Sequence, residues 1–557
     1  VRKVITAAEM REVDRLTTER YALPSLLLME QAAHAAARAI STRLGRGLAG
    51  CRALVLCGRG NNGGDGAALA RLLWLAGARV EGILFGRVAD TRDDARTNFE
   101  ATRQLAGAQS DDAETLARLS WRECADEAGW SAQAASLGAY DIIVDALFGT
   151  GLTRPLAELF RRVVLDLTHL CEQCEPADVR PLVVSLDLPS GLDADSAALI
   201  GDAVAADLTV TFTAPKPANV LPPAAHRNGQ LVIADIGSPA VLLDETGAQL
   251  FLVEADDARA WLKRTRYAPD SYKNTHGHAL VVAGSRHMTG APVLACEAAL
   301  RAGAGLVTVA TPASAHAAVA ARVMPEVMTA ALAETEQGAF SAAALVEARR
   351  LTARAQVVAL GPGLTADDAG TRSFVRAYVE QRTTPVVLDA DGLNALAPWP
   401  AELRGTNDRP LILTPHVGEM RRLLGRADTD ALADRVQVAR EFATAQQLIL
   451  VLKGARTIIA APDGRVAVNS TGNAGLGTAG AGDTLTGILT GCLAQAYGTL
   501  KAEADAFATV VAAVYLGGLA GDIAARARGM RTLVASDIRE HLSAAVRTLD
   551  AAGEQPR

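Results

Sequence analysis

Two glycine-rich signatures, far apart on one chain, restrict the folds open to it. The first is Cys57-Gly58-Arg59-Gly60-Asn61-Asn62-Gly63-Gly64-Asp65-Gly66, and the second is Gly480-Ala481-Gly482-Asp483. Each reads as a strand or loop feeding a helix N-terminus. Free backbone N–H groups and the helix dipole there favour an anion such as a phosphate. Two such cradles imply two nucleotide pockets, and hence two activities on one polypeptide. At 557 residues the chain is long enough for two or three domains.

The apolar half of the chain is mostly Ala, Val and Leu, only 4% of residues are aromatic, and there are 49 glycines. Small residues of this kind suit helices lying close on a sheet, so the expected class is α/β. The net charge of −7 with no long basic run lacks the footprint of a nucleic-acid binder. Cys171 and Cys174 make the one C-x-x-C, which reads as an acidic surface loop with two incidental thiols. No secretory pattern stands at the N-terminus, and no apolar run approaches a membrane span. A soluble, reducing, cytoplasmic setting with no membrane partner is the expectation.

Residues 6–44 predict two helices interrupted at Pro24. Arg52–Cys57 reads as a buried strand ending in the glycine loop, Ala67–Ala76 as the helix after it, and Val80–Phe85 as the next strand. Ile142–Val144, Leu182–Leu186 and Thr209–Phe212 continue the series. Segments 237–239 and 244–247 look like loops, and the domain boundary is expected near 240. The α/β rhythm restarts at 279–285, with further strands at 357–360, 386–388, 411–413 and 448–452.

Gly58 to Gly63 satisfies G-x-G-x-x-G, and the simplest reading is a dinucleotide fold with Glu81 on the ribose. Asn61, Asn62 and Asp65 make the loop more polar than a pyrophosphate turn requires. Their oxygens suit a hard cation as well as a phosphate. Two more loops, 145–155 and 187–193, end predicted strands and bring Asn62, Asp145 and Ser190 within reach of one cation.

With these three loops in place, residues 1–240 resemble the NAD(P)H-hydrate epimerase domain. The resemblance implies a potassium ion on Asn62, Asp145 and Ser190. It implies hydrate contacts at Asn61, Asn62, Gly63, Gly64 and Asp65, at Gly149, Thr150, Gly151, Leu152, Thr153, Arg154 and Pro155, and at Asp187. The reaction implied interconverts the R and S epimers of hydrated NADH or NADPH, with Asp187 as the acid–base group.

In the second half, an aspartate at a glycine-rich helix start can take a proton from a hydroxyl attacking a phosphoryl group. Loops 361–364, 389–394, 414–419 and 453–457 all end predicted strands and can face one crevice. They resemble the ADP-dependent NAD(P)H-hydrate dehydratases from about Tyr272 to residue 545. The resemblance implies hydrate contacts at Ala291, Gly363, His416 and Asp483. It implies nucleotide contacts at Lys453, Gly454, Ala455, Arg456, Thr457 and Gly482, with Asp483 as catalytic base and magnesium accompanying ADP. Ala479 and Ala481 replace a Gly and a Thr usual in that family.

The expected architecture is thus a Rossmann-like three-layer α/β/α domain over 1–240, then a ribokinase-like α/β domain over 241–557. The expected partners are the NADH and NADPH hydrates and ADP, in a homo-oligomer of tetramer size or larger. Three other readings compete. They are a sugar or vitamin kinase with a regulatory N-terminal half, an NAD-dependent dehydrogenase built on Gly58–Gly63, and a non-catalytic N-terminal binding module.

Overall fold

A computed structural model describes residues 1–108, 119–135, 137–172 and 180–551. Cys174 lies outside these residues. The chain divides into two compact units, Lys3–Ala248 and Gln249–Arg557, with Val1–Arg2 joining the second. The position expected for the boundary is the start of a helix, Ala240–Glu245, which the contacts place in the first unit. That helix runs through Asp244 and Glu245, which the sequence reads as loop.

Among the described residues, the first unit carries a seven-stranded sheet. Its order is Leu119–Cys124, Arg79–Phe85, Arg52–Cys57, Ile142–Ala146, Leu182–Leu186, Leu208–Phe212 and Gln230–Ala234. Every neighbouring pair is parallel. Alternate residues serve opposite faces. Ala53, Val55, Cys57, Val144 and Ala146 pack with the helices Ser25–Leu44 and Asn61–Leu75. Leu54, Leu56, Ile83 and Ile143 pack with Trp130, Val163 and Leu167 of the helices on the other side. Both faces are covered, which is why the central strands read as unbroken apolar runs. The outer strands Leu119–Cys124 and Gln230–Ala234 were not anticipated. Their mixed polar pattern follows from partial exposure at the sheet edges.

One difference bears directly on function. The segment Asn61–Asp65 is not a loop but the opening of the helix Asn61–Leu75, with Gly60 as its N-cap. A Cβ on Gly63 would stand 1.8 Å from the Gly58 carbonyl oxygen, and one on Gly66 would stand 2.6 Å from Ala146 Cβ. These glycines let the helix start lie directly on the sheet.

In the second unit the sheet is eleven-stranded among the described residues, counting the edge strand Arg2–Val4. From Met328–Leu332 it passes through Leu306–Pro312, His278–Val282, Val357–Leu360, Val386–Leu388, Leu411–Leu413 and Ile449–Leu452 in parallel. Ile458–Ala460 and Val466–Val468 then turn antiparallel, and Leu250–Leu252 pairs parallel to the last of these. Helices cover both faces, one cluster including Phe374, Met420 and Phe442 and the other Ile488, Val510 and Leu542. One helix, Ala506–Arg528, is long and apolar enough to cross a membrane, contrary to the sequence reading, and 72% of its apolar window is buried inside the fold. A helix enclosed by neighbours is apolar all round.

Candidate active sites

In the first unit, site residues come from the carboxyl ends of adjacent parallel strands. Register sets Asp145 beside Ser185. The fully buried Asp145 carboxylate accepts from Ser185 Oγ at 2.8 Å, Ser190 N at 2.8 Å, Ser190 Oγ at 2.5 Å and Leu147 N at 3.3 Å. Burial pushes its pKa upward, and these donors oppose that shift. Ser190 Oγ also accepts from Phe148 N at 2.9 Å, tying the 145–155 loop to the 187–193 loop. Asn62 is buried, and neither its Oδ1 nor its Nδ2 has a protein partner. An orphaned buried amide costs free energy unless a ligand or ion completes it.

A Cβ placed on Gly149 would lie 3.4 Å from both Asn62 Cγ and Asp187 Oδ2, so these three residues converge on one point. Asp187 takes a left-handed backbone, φ 62°, as the chain leaves its strand. The remainder of 149–155 is less engaged: Leu152 packs against an apolar cluster with Leu156 and Val183, and Pro155 lies on Gly201. Thr153 and Arg154 are exposed.

Two functional candidates escaped the sequence reading. Lys216 is almost fully buried and donates to Asp187 Oδ1 at 2.5 Å. Asp14, on the helix Ala7–Tyr21, has a buried Oδ1 without a partner, and burial raises its pKa to about 6. Asp65 is pushed well upward too, first by burial and then by Asp187 and Asp14. Glu81 sits within its strand, accepting from Tyr140 Oη at 2.7 Å and pairing with Arg122. It is therefore not a ribose ligand at a strand end, and the dinucleotide reading loses its acidic partner.

In the second unit, the helix Ala481–Thr499 starts at Gly480, φ 83°. A Cβ on Gly482 would stand 3.4 Å from Lys453 Nζ and 3.7 Å from Asp389 Oδ2. Buried Asp389 accepts from Lys453 Nζ at 2.7 Å and from Thr486 Oγ1 at 2.7 Å. Burial alone would raise its pKa, but Lys453 and these donors bring it below the usual value. Asp483 lies beside this pair. Burial, then the Asp389 charge, raises its pKa to about 7.

Ala291 and Gly363 lie together, a Cβ on Gly363 falling 3.3 Å from Ala291 Cβ. His416 caps the helix Val417–Leu423: Nδ1 accepts from Gly418 N and Glu419 N, which leaves Nε2 to carry the proton. Its ring is 55% exposed at the strand end.

The resemblance implies that Lys453 and Arg456 both contact the nucleotide. In the structure Lys453 faces Asp389, with Glu419 Oε2 3.8 Å away, and Arg456 donates to the Ser470 carbonyl. The 453–457 loop is clamped instead by Arg435, which donates to the carbonyls of Leu452 and Ala455 and which no motif indicated. Thr457 Oγ1 donates within the loop to Gly454 O.

Residues 25–218 match the family described as YjeF-related protein N-terminus. Residues 279–543 match the family described as NAD(P)H-hydrate dehydratase. Over 547 residues the chain is 40% identical to a bifunctional NAD(P)H-hydrate repair enzyme of Moorella thermoacetica, covering 98% of this chain and 97% of that one. The chain belongs to the bifunctional NAD(P)H-hydrate repair enzymes. A relative in Salinibacter ruber is 39% identical, with 96% and 94% covered. The crystal structure of an ADP/ATP-dependent NAD(P)H-hydrate dehydratase from Bacillus subtilis is 31% identical, spans 54% of this chain and 98% of its own, and gives a TM-score of 0.45. As a member of this family the chain repairs hydrated NADH and NADPH, and its second half matches the dehydratase family. A kinase with a regulatory N-terminal half is displaced as a reading.

Proposed function

We propose that the two reactions are divided between the two units, epimerisation at Asn61–Asp65, Gly149 and Asp187, and dehydration at Ala291, Gly363, His416 and Asp483. The observation that carries this is the pairing of a distinct acid–base group with each glycine-rich helix start. In the first unit that group is Asp187, whose Oδ2 faces Asn62 and Gly149. In the second it is Asp483, poised near neutrality at the helix start.

The hydrated carbon is a hemiaminal-type centre, and its inversion needs one group able to take and return a proton. Asp187 serves that need. Asn62, Asp145 and Ser190 fit a potassium ion: the donors are oxygens, and Asn62 Oδ1 is buried with no partner. Such an ion supplies a positive charge that holds the three segments together.

In the second unit, Asp483 takes the proton of the hydrate hydroxyl. The hydroxyl oxygen bonds to the terminal phosphorus of ADP as the bond to AMP breaks. Loss of phosphate and a ring proton then restores the dihydronicotinamide. Backbone N–H groups at Gly482 and the 453–457 loop hold the nucleotide, with magnesium as its counter-ion. ADP supports the reaction at least as well as ATP, and the enzyme acts as a homo-oligomer.

A coupled assay tests this reading. Mixed hydrate epimers are supplied with ADP or ATP, and the return of dihydronicotinamide absorbance is followed. Full recovery with ADP is expected. Recovery of only one epimer, or a strict requirement for ATP, would overturn the corresponding part.

A further inference from the structure

Lys216 follows the strand Leu208–Phe212 in Ala214-Pro215-Lys216-Pro217. Its side chain is 1% exposed. Nζ donates to Asp187 Oδ1 at 2.5 Å, Thr211 Oγ1 at 3.1 Å and Phe212 O at 3.3 Å. Three acceptors match the three donors of an ammonium, so the group is fixed. Burying that charge without a partner would be costly, and Asp187 supplies the compensation.

Asp187 is held from other directions too. Its carbonyl accepts from Asn219 Nδ2 at 3.3 Å, and Thr211 Oγ1 donates to Oδ1 at 3.0 Å. Asn219 Oδ1 in turn accepts from Lys216 N at 2.8 Å. Oδ1 is thus committed. Oδ2 has no protein donor among the described residues and lies where Asn62 and Gly149 converge. Asp14, from the helix Ala7–Tyr21, and Asp65, from the helix Asn61–Leu75, interact electrostatically with both members of the pair. Lys216 is the cation in this group of three carboxyls.

We infer that Lys216 is the positioning residue of the epimerase site, committing Asp187 Oδ1 so that Oδ2 alone exchanges a proton with the hydrate. This rests on the assignment of Asp187 as the acid–base group. Without the ammonium, three carboxyls converge with no cation between them, and each opposes ionisation of the others. The loss would therefore appear in turnover and its pH dependence rather than in substrate affinity.

The test uses the full chain, following R-to-S conversion, with dehydration of the pure S epimer as internal control. Lys216→Met is expected to lower epimerisation kcat by about 100-fold while leaving KM nearly unchanged. The acidic limb of its kcat profile should move to higher pH. Lys216→Arg should recover part of the rate. Asp14→Asn removes a negative neighbour and should move the limb to lower pH. A folding defect does not produce opposite shifts from two substitutions.

Should Lys216→Met lose cooperative melting, Asp14→Asn decides: a downward shift supports the inference and an unmoved limb overturns it. An unmoved limb in a folded Lys216→Met overturns it as well. Asp187→Asn separates the two claims. Normal epimerisation in that variant would overturn the Asp187 assignment. Loss there, with Lys216→Met unaltered, would overturn only the role given to Lys216.

Discussion

Both units pair a lysine with an aspartate past the end of a parallel strand, one member of each pair buried: Lys216 on Asp187 at 2.5 Å and Lys453 on the buried Asp389 at 2.7 Å. The use made of the pair differs. In the first unit the paired aspartate is itself the proposed acid–base group. In the second, the paired aspartate stands behind a third residue, Asp483, whose pKa its charge helps to raise to about 7. An epimerase must run in both directions, so a carboxylate fixed by a counter-ion suits it. A dehydratase coupled to phosphoryl transfer runs one way and needs a strong enough base at neutral pH. A raised carboxyl meets that need.

Replacing the unpaired base should give the largest effect. Asp483→Asn is expected to lower dehydration kcat by ~10²–10⁴-fold and to leave epimerisation unchanged. The wild-type dehydration rate should fall below about pH 7 as Asp483 takes up its proton. Single-turnover assays on the S epimer check both outcomes, and near-normal turnover in the variant would break the comparison.

Next in size is Asp145→Ala. It removes the charge that Ser185, Ser190 and Leu147 surround, and epimerisation should fall about 10–100-fold, the scale of losing a supporting ligand. Potassium titration should no longer stimulate what remains, while dehydration of the S epimer continues. Equal loss of both activities would show that the two sites are not independent.

Gly63→Ala probes the contact of the helix start with the sheet. Its Cβ would meet Gly58 O at 1.8 Å, so the first unit should lose about 1–3 kcal/mol in denaturant unfolding. The same change at Gly60, where nothing lies within 4 Å, should cost far less.

The smallest effect concerns stability. The folded pKa of Asp483, about 7, lies above its ordinary 3.8, so the native state binds more protons across that window. Stability is therefore lost as pH rises through it. Asp483→Asn removes that loss and should stabilise the second unit at pH 8 by about 1–2 kcal/mol after solvent screening. An unchanged melting temperature at pH 8 would show that the site does not strain the fold.

The central strands are legible because burial on both faces leaves an unbroken apolar run, as in Ile449–Leu452. The loops that follow them were legible because glycine and carboxyl residues interrupt those runs. Lys216 was not. A single lysine between prolines carries no periodic signal, and its partner Asp187 becomes a neighbour only when the strands pair. Asp389 and Lys453 are 64 residues apart and meet for the same reason. Asp14 carries no sequence signal that sets it apart from the other acidic residues of its helix, and only packing reveals that its Oδ1 is enclosed. Asn61–Asp65 reads as loop because its glycines are poor helix formers in isolation, whereas tertiary contact makes them necessary.

Asn62-Gly63 is also the kind of dipeptide at which proteins age. An unhindered glycine nitrogen can attack the preceding side-chain amide, expelling ammonia and leaving aspartate or isoaspartate. Here both residues are buried within the opening turn of a helix. The attack would require that turn to unwind from the sheet against which Gly63 is pressed. The close approach that excludes a side chain at position 63 therefore also preserves the amide at position 62. A protein that repairs damaged cofactors thus holds this perishable amide in a backbone geometry that resists decay.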